Sequence, residues 1–267
     1  MLRIVLPFWH WVKYGLLNNF KKMKKAIVTG ASSGLGKYIS IELSKQKIRV
    51  IGIARSRAKL EKLKKYIGKK YFDYVDFDLK KIDQIENIFK SIIKKEKFIE
   101  ILINNAWIYK QSNLQNINIS EINDIIDTNL KAPIILTKIL SNNMKKNKKG
   151  CIINISSIAG KVPIKEASVY CGTKYGLDGF GRSLNKELKN SGIRVCTIFP
   201  GGINTPLWKN TKYKPGNLKD SLKPQDIFKI IDLMLQFGKR VNFNEAVITP
   251  TIENFWYDWV NTIKWKR

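Results

Sequence analysis

Seven apolar runs punctuate the chain after residue 23: Lys25 to Thr29, Arg49 to Ala54, Phe72 to Phe77, Ile99 to Ile103, Cys151 to Ile155, Ile193 to Phe199 and Ala246 to Thr249. Each reads as a strand, and near-continuous apolar runs are what a strand covered on both faces requires. Between them the period changes. Ile82, Ile85, Ile88, Phe89, Ile92 and Ile93 recur at helical spacing, as do Leu177, Phe180, Leu184 and Leu188. Strands separated by helix-length segments predict an α/β fold, doubly wound, with a parallel sheet of about seven strands and helices on both faces. No repeat, linker or composition shift divides residues 24–267, so they are read as one domain.

Residues 1–23 form a separate N-terminal extension in which Phe8, Trp9, Trp11, Tyr14 and Phe20 are interrupted by Arg3, Pro7, His10 and Lys13. That stretch is too broken for a spanning helix and has no small-residue cleavage site. With the basic run that follows, residues 1–24 could make peripheral contact with a membrane. The competing readings are packing against the body or a sister subunit, or a true start at Met23. A second aromatic cluster, Phe255, Trp256, Tyr257, Trp259 and Trp265, lies near the other end.

Composition adds one anomaly: 49 Lys+Arg against 21 Asp+Glu give the 267 residues a formal net charge of +28. A positive field of this size concentrates anions, so a basic protein binding polyanions or a membrane surface is the alternative of another class. Lysine in excess of arginine, together with abundant isoleucine and asparagine, points instead to exposed positions that drifted to lysine. On that reading nucleic acid is not the expected partner. The single histidine, His10, argues against a Ser-His-Asp hydrolase and against a histidine-rich metal site, and no metal is expected. Three cysteines without a CxxC pair favour a reducing, cytoplasmic location.

Two motifs carry chemistry. Lys25 to Val28 runs into Thr29-Gly30-Ala31-Ser32-Ser33-Gly34-Leu35-Gly36, and an amphipathic stretch follows. Strand, glycine-rich turn and helix start make an anion site, because the glycines admit a phosphate to the backbone and the helix end offers unpaired N–H groups. The spacing GxxxGxG differs from GxGxxG, and alone it fits an ordinary turn equally well. The second strand ends Ile53-Ala54-Arg55-Ser56 with no acid to bind ribose hydroxyls. Arg55 can grip a 2′-phosphate, so NADP(H) is preferred, with NAD(H) possible. The other motif is Tyr170-Cys171-Gly172-Thr173-Lys174, which sets a phenol and an amine on one helix face. A phenol that exchanges protons near neutrality needs its pKa lowered, and a fixed ammonium nearby does part of that.

Taken in order, Thr29 to Gly36, Asn104-Asn105-Ala106, Asn129, Asn154-Ile155-Ser156-Ser157, Tyr170 with Lys174, and Pro200-Gly201 with Thr205 resemble the short-chain dehydrogenase/reductase family. The match spans about residues 24 to 250. The resemblance implies a Rossmann-type fold and hydride transfer between a nicotinamide and a carbonyl or alcohol carbon. It implies Tyr170 as general acid/base, Lys174 as the group that lowers the tyrosine pKa and holds the nicotinamide ribose, and Ser157 as hydrogen-bond partner of the substrate oxygen. Asn129 would hold a relay water beside the lysine. Cofactor contacts carried over in the same way are Gly30, Ser32, Ser33, Gly34, Leu35, Gly36, Asp78, Leu79, Asn105, Ile203 and Thr205, with Tyr170, Lys174 and Arg55.

One position departs from the family, which writes Asn-Asn-Ala-Gly where this chain has Asn104-Asn105-Ala106-Trp107. Either the loop moves or the pocket narrows. Residues of about 200–224 are a candidate substrate lid. The expected function is an NADP(H)-dependent oxidoreductase that interconverts a ketone and a secondary alcohol, acting on a small carbonyl, alcohol or acyl substrate. The alternative within the class is a 3-oxoacyl-carrier-protein reductase. Family likeness also implies a homodimer or homotetramer.

Overall fold

The apolar runs become seven parallel strands in the computed structural model, which describes residues 23–205, 218–238 and 240–251. They are β1 (Lys25–Thr29), β2 (Arg49–Ala54), β3 (Phe72–Asp76), β4 (Ile101–Asn104), β5 (Gly150–Ile155), β6 (Ile193–Pro200) and β7 (Glu245–Ile248), in the spatial order β3-β2-β1-β4-β5-β6-β7. Ile99 falls outside the ladder because its N–H is given to the Asn143 side chain at 3.1 Å. β7 alternates exposed and half-buried positions, as an edge strand does. The terminal aromatic clusters and residues 206–217 of the candidate lid lie outside the described residues.

Among the described residues seven α-helices follow the chain: α1 (Gly34–Lys45), α2 (Arg57–Ile67), α3 (Ile82–Glu96), α4 (Ile119–Ile126), α5 (Ala132–Lys146), α6 (Ser168–Glu187) and α7 (Pro224–Gln236). Successive strand residues face opposite layers, so the sheet divides the core in two. Val28 and Ile103 pack with Leu35, Ile39, Leu60 and Ile227 of α1, α2 and α7. Ile27 and Leu102 pack with Ile85, Phe89, Leu136 and Leu184 of α3, α5 and α6. The helical spacing therefore reports burial directly: Ile85, Phe89 and Ile92 are buried, while Ile82, Ile88 and Ile93 are half-buried against the same layer.

Strand order reverses between β1 and β4, whose carboxyl ends splay their following segments to opposite sides and open a crevice there. Behind the β3 edge sits an ion network: Asp73 accepts from Lys64 at 2.7 Å and Lys95 at 2.9 Å, and Arg49 lies between Asp73 and Glu96 at 3.4 and 3.3 Å. Although partial burial opposes it, the hydrogen bonds from Lys64 and Lys95 hold the Asp73 carboxyl down at about 2. The three cysteines are free and buried. Among the described residues no helix is long and apolar enough to cross a membrane, and no cluster of metal-ligating side chains occurs.

Candidate active site

A cavity of about 420 Å³ occupies the crevice. Its floor is the turn after β1. Gly30 sits at φ +69°, a left-handed conformation that favours glycine, and Gly36 lets α1 approach so closely that a Cβ there would fall 2.3 Å from the Gly30 carbonyl oxygen. Ser33, the residue before α1, makes no side-chain cap to the first-turn N–H groups of Gly34, Leu35 and Gly36, three residues that line the cavity. Those groups and the helix dipole attract an anion. Thr29 ties the turn to β4: its hydroxyl accepts from the N–H groups of Asn105 and Ala106, each at 2.9 Å, and its carbonyl accepts from Asn105 Nδ2 at 2.8 Å.

Ser32, Ser33, Gly34, Leu35 and Gly36 line one wall together with Arg55, Asp78, Leu79 and Asn105, and Ile203 and Thr205 line another. The sequence reading missed Ser56 and Lys59, which join Arg55 on the same wall. Their signal was available, since Lys59 lies on the first turn of the helix that follows Arg55. Two buried polar atoms on the lining residues lack partners, Asn105 Oδ1 and Thr128 Oγ1. Uncapped N–H groups, a guanidinium and an ammonium as donors, with an unpartnered amide oxygen as acceptor and an unpartnered hydroxyl that can do either, form the set that a phosphorylated dinucleotide takes up.

The far end of the cavity is built from β5 and α6. Ser157, just past β5, starts a single helical turn (Ile158–Gly160) by accepting from the Ala159 N–H at 3.1 Å, and it hydrogen-bonds the Tyr170 hydroxyl. Burial raises the Tyr170 pKa, and the Ser157 hydrogen bond only partly offsets that. Lys174 stands one turn further along α6 but does not reach the cavity surface. It is 1% exposed, its ammonium donates to the Ile155 carbonyl at 3.2 Å, and desolvation lowers its pKa from 10.5 to about 7. Burial thus pushes both partners toward neutrality, with the Lys174 ammonium 5.6 Å from the centre of the Tyr170 ring.

The Trp107 indole lies 5.7 Å from the Lys174 ammonium, a cation–π contact, and 5.9 Å from the Tyr170 ring. Trp107 lines the cavity at this position. Tyr109 closes the other side of Tyr170, edge-on at 4.8 Å, with its hydroxyl on Gln111 Oε1. Asn129 also stands behind the wall. It sits in a π-helical turn (Asp127–Lys131) between α4 and α5, is 1% exposed, and exchanges two hydrogen bonds with the Ile108 backbone. Its amide donates further to Thr173 at 3.3 Å, so it braces the loop that carries Trp107 against α6.

Comparison with known proteins agrees with this architecture. The family described as short chain dehydrogenase matches residues 24–215. An uncharacterized oxidoreductase of Staphylococcus epidermidis is 31% identical over 229 residues, covering 86% of this chain and 98% of that protein. A 3-oxoacyl-[acyl-carrier-protein] reductase of Buchnera aphidicola is 37% identical over 187 residues, 70% of this chain and 76% of the other. The crystal structure of a metagenomic short-chain oxidoreductase in complex with NADP superimposes with a TM-score of 0.75 at 28% identity, over 86% of this chain and 98% of that one.

Proposed function

Because the chain belongs to the short-chain dehydrogenase family, an oxidoreductase family, we propose that it is an NADP(H)-dependent enzyme that interconverts a ketone and a secondary alcohol. The observation that carries this reading is the meeting, in one cavity, of an anion-binding helix start, a basic wall and a buried phenol held by Ser157.

The N–H groups of Gly34, Leu35 and Gly36 would hold the pyrophosphate, Arg55 and Lys59 the 2′-phosphate, and Asp78, Leu79 and Asn105 the adenosine. Ile203 and Thr205 would flank the nicotinamide. When bound, the cofactor supplies or accepts a hydride. Arg55 and Lys59 bias the cradle to NADP(H), while the remaining contacts serve NAD(H) equally.

Tyr170 is the proton donor in reduction. Its raised pKa keeps the hydroxyl protonated at neutral pH, and the proton moves from that hydroxyl to the carbonyl oxygen as the alkoxide forms. Ser157 orients the hydroxyl and shares the substrate oxygen. Lys174, titrating near 7, can accept or return a proton behind Tyr170, and contact with a ribose requires the Trp107 indole to give way. Asn129 fixes the loop at Ile108 that sets the indole's place. Raised Tyr170 makes phenolate scarce, so reduction is favoured at and below neutral pH and alcohol oxidation rises with pH.

A screen of carbonyl compounds, followed by NADPH absorbance with the alcohol product identified, tests the reading. Turnover of a ketone supports it, and absence of both NADPH binding and turnover contradicts it. The likeness to an acyl-carrier-protein reductase favours a second reading, a 3-oxoacyl thioester as substrate. Assay of an acetoacetyl thioester beside simple ketones separates the two.

A further inference from the structure

The ring of Tyr170 lines the cavity and is packed on by its neighbours. Trp107 meets it at 5.9 Å with the planes tilted by 51°, and Tyr109 meets it at 4.8 Å and 85°. Ala159, Ala167, Cys171 and Ile164 complete the apolar cluster. Tyr170 is 5% exposed, and a substrate at its hydroxyl meets the two rings packed beside it. We propose that Trp107 and Tyr109 form a two-ring clamp that selects slim, uncharged carbonyl compounds, unbranched beside the reacting carbon. The inference rests on the carbonyl chemistry assigned to Tyr170 above.

Charge supports the second half of the statement. The charged side chains lining the cavity among the described residues are Arg55, Lys59 and Asp78. All three follow β2 or β3, on the far side of the crevice from Ser157 and Tyr170. Around Tyr170 the wall is Trp107, Tyr109, Ile158 and Ile164, with Ser157 and Gln111 as uncharged polar groups. Lys174 is covered by the indole, and Tyr109, whose burial raises its pKa to about 12, stays neutral. A carboxylate entering here would lose its hydration with no charged side chain on this part of the lining to meet it, since the Lys174 ammonium, 5.6 Å from the centre of the Tyr170 ring, is not on that lining.

Size follows from the departure at Trp107. Where a glycine leaves space, the indole occupies it, and Asn129 pins its loop through two backbone hydrogen bonds at Ile108. A packed wall discriminates by steric cost, and even one methylene changes rates about tenfold or more. A linear chain can thread such a slot, whereas an aryl or α-branched group meets the rings.

The test compares kcat/KM for butanone, acetophenone and acetoacetate in the full chain, the Trp107→Gly variant and the Tyr109→Ala variant. NADPH binding by cofactor fluorescence verifies each preparation. The wild type should prefer butanone to acetophenone, and to acetoacetate, by about tenfold or more. Either truncation should shrink the butanone to acetophenone ratio by a similar factor, and if Trp107→Gly does not fold, Tyr109→Ala decides. A wild-type preference for acetophenone or acetoacetate, or a ratio unmoved by truncation, overturns the clamp while leaving ketone reduction standing. Failure of the wild type on every carbonyl compound overturns the proposed function and the clamp with it.

Discussion

Lys174 is the residue whose surroundings matter most for the chemistry, and its burial has a consequence for stability that can be measured. Its pKa falls from 10.5 in the open chain to about 7 in the fold, so between those values the unfolded chain binds more protons. Stability therefore rises with pH across that window. The cost of the buried ammonium is fully present below pH 7 and vanishes as pH approaches 10.5. Thermal unfolding of Lys174→Met beside the wild type should show the variant gaining relative stability at pH 6 and losing that gain by pH 10. A pH-independent difference would mean that Lys174 is not desolvated as described. Arg55 makes a separate prediction: if it holds the 2′-phosphate, Arg55→Ala lowers kcat/KM with NADPH by roughly 10–150-fold and leaves NADH nearly unchanged, the range of a lost charged hydrogen bond.

At the scale of elements, the turn between β1 and α1 concentrates the constraints. An alanine at Gly36 would place its Cβ 2.3 Å from the Gly30 carbonyl and 2.5 Å from Asn105 Nδ2, both held in the β1–β4 seam. Gly36→Ala should cost about 1–3 kcal/mol in chemical denaturation and weaken NADPH binding with it. Unchanged stability would show that α1 can retreat. Much of this was legible beforehand: the seven strands follow from apolar runs, and the glycine turn, Ser157, Tyr170 and Lys174 from their order along the chain. Packing decided the rest. The π-helical turn that buries Asn129 leaves no periodic signal in Asp127 to Lys131. The indole at Trp107 was visible as an oddity, but its seat over Lys174 depends on where α6 delivers the ammonium. The ion network at Asp73 joins residues from β2, β3, α2 and α3 that only the fold brings together.

For the whole molecule, the +28 charge divides into two parts with different expectations. Many lysines are exposed at scattered positions and many others sit in surface ion pairs, which contribute little individually. Arg55 and Lys59, by contrast, face the cavity. Raising ionic strength from about 0.05 to 0.3 M should therefore weaken NADPH binding and leave KM for a neutral ketone nearly constant, since screening acts on the charged end of the crevice. A ketone KM as salt-sensitive as the NADPH affinity would place a screened charge on the cavity wall beside Tyr170 and contradict this division.

Tyr170→Phe tests the central claim most directly, because the ring and its contacts with Trp107 and Tyr109 remain while the hydroxyl is lost. The measurement is single-turnover reduction of a ketone at saturating NADPH, with NADPH affinity determined on the same samples. The account predicts unchanged affinity and a rate lower by about 10²–10⁴-fold, the contribution of a positioned general acid. A variant that reduces the ketone at the wild-type rate would contradict it.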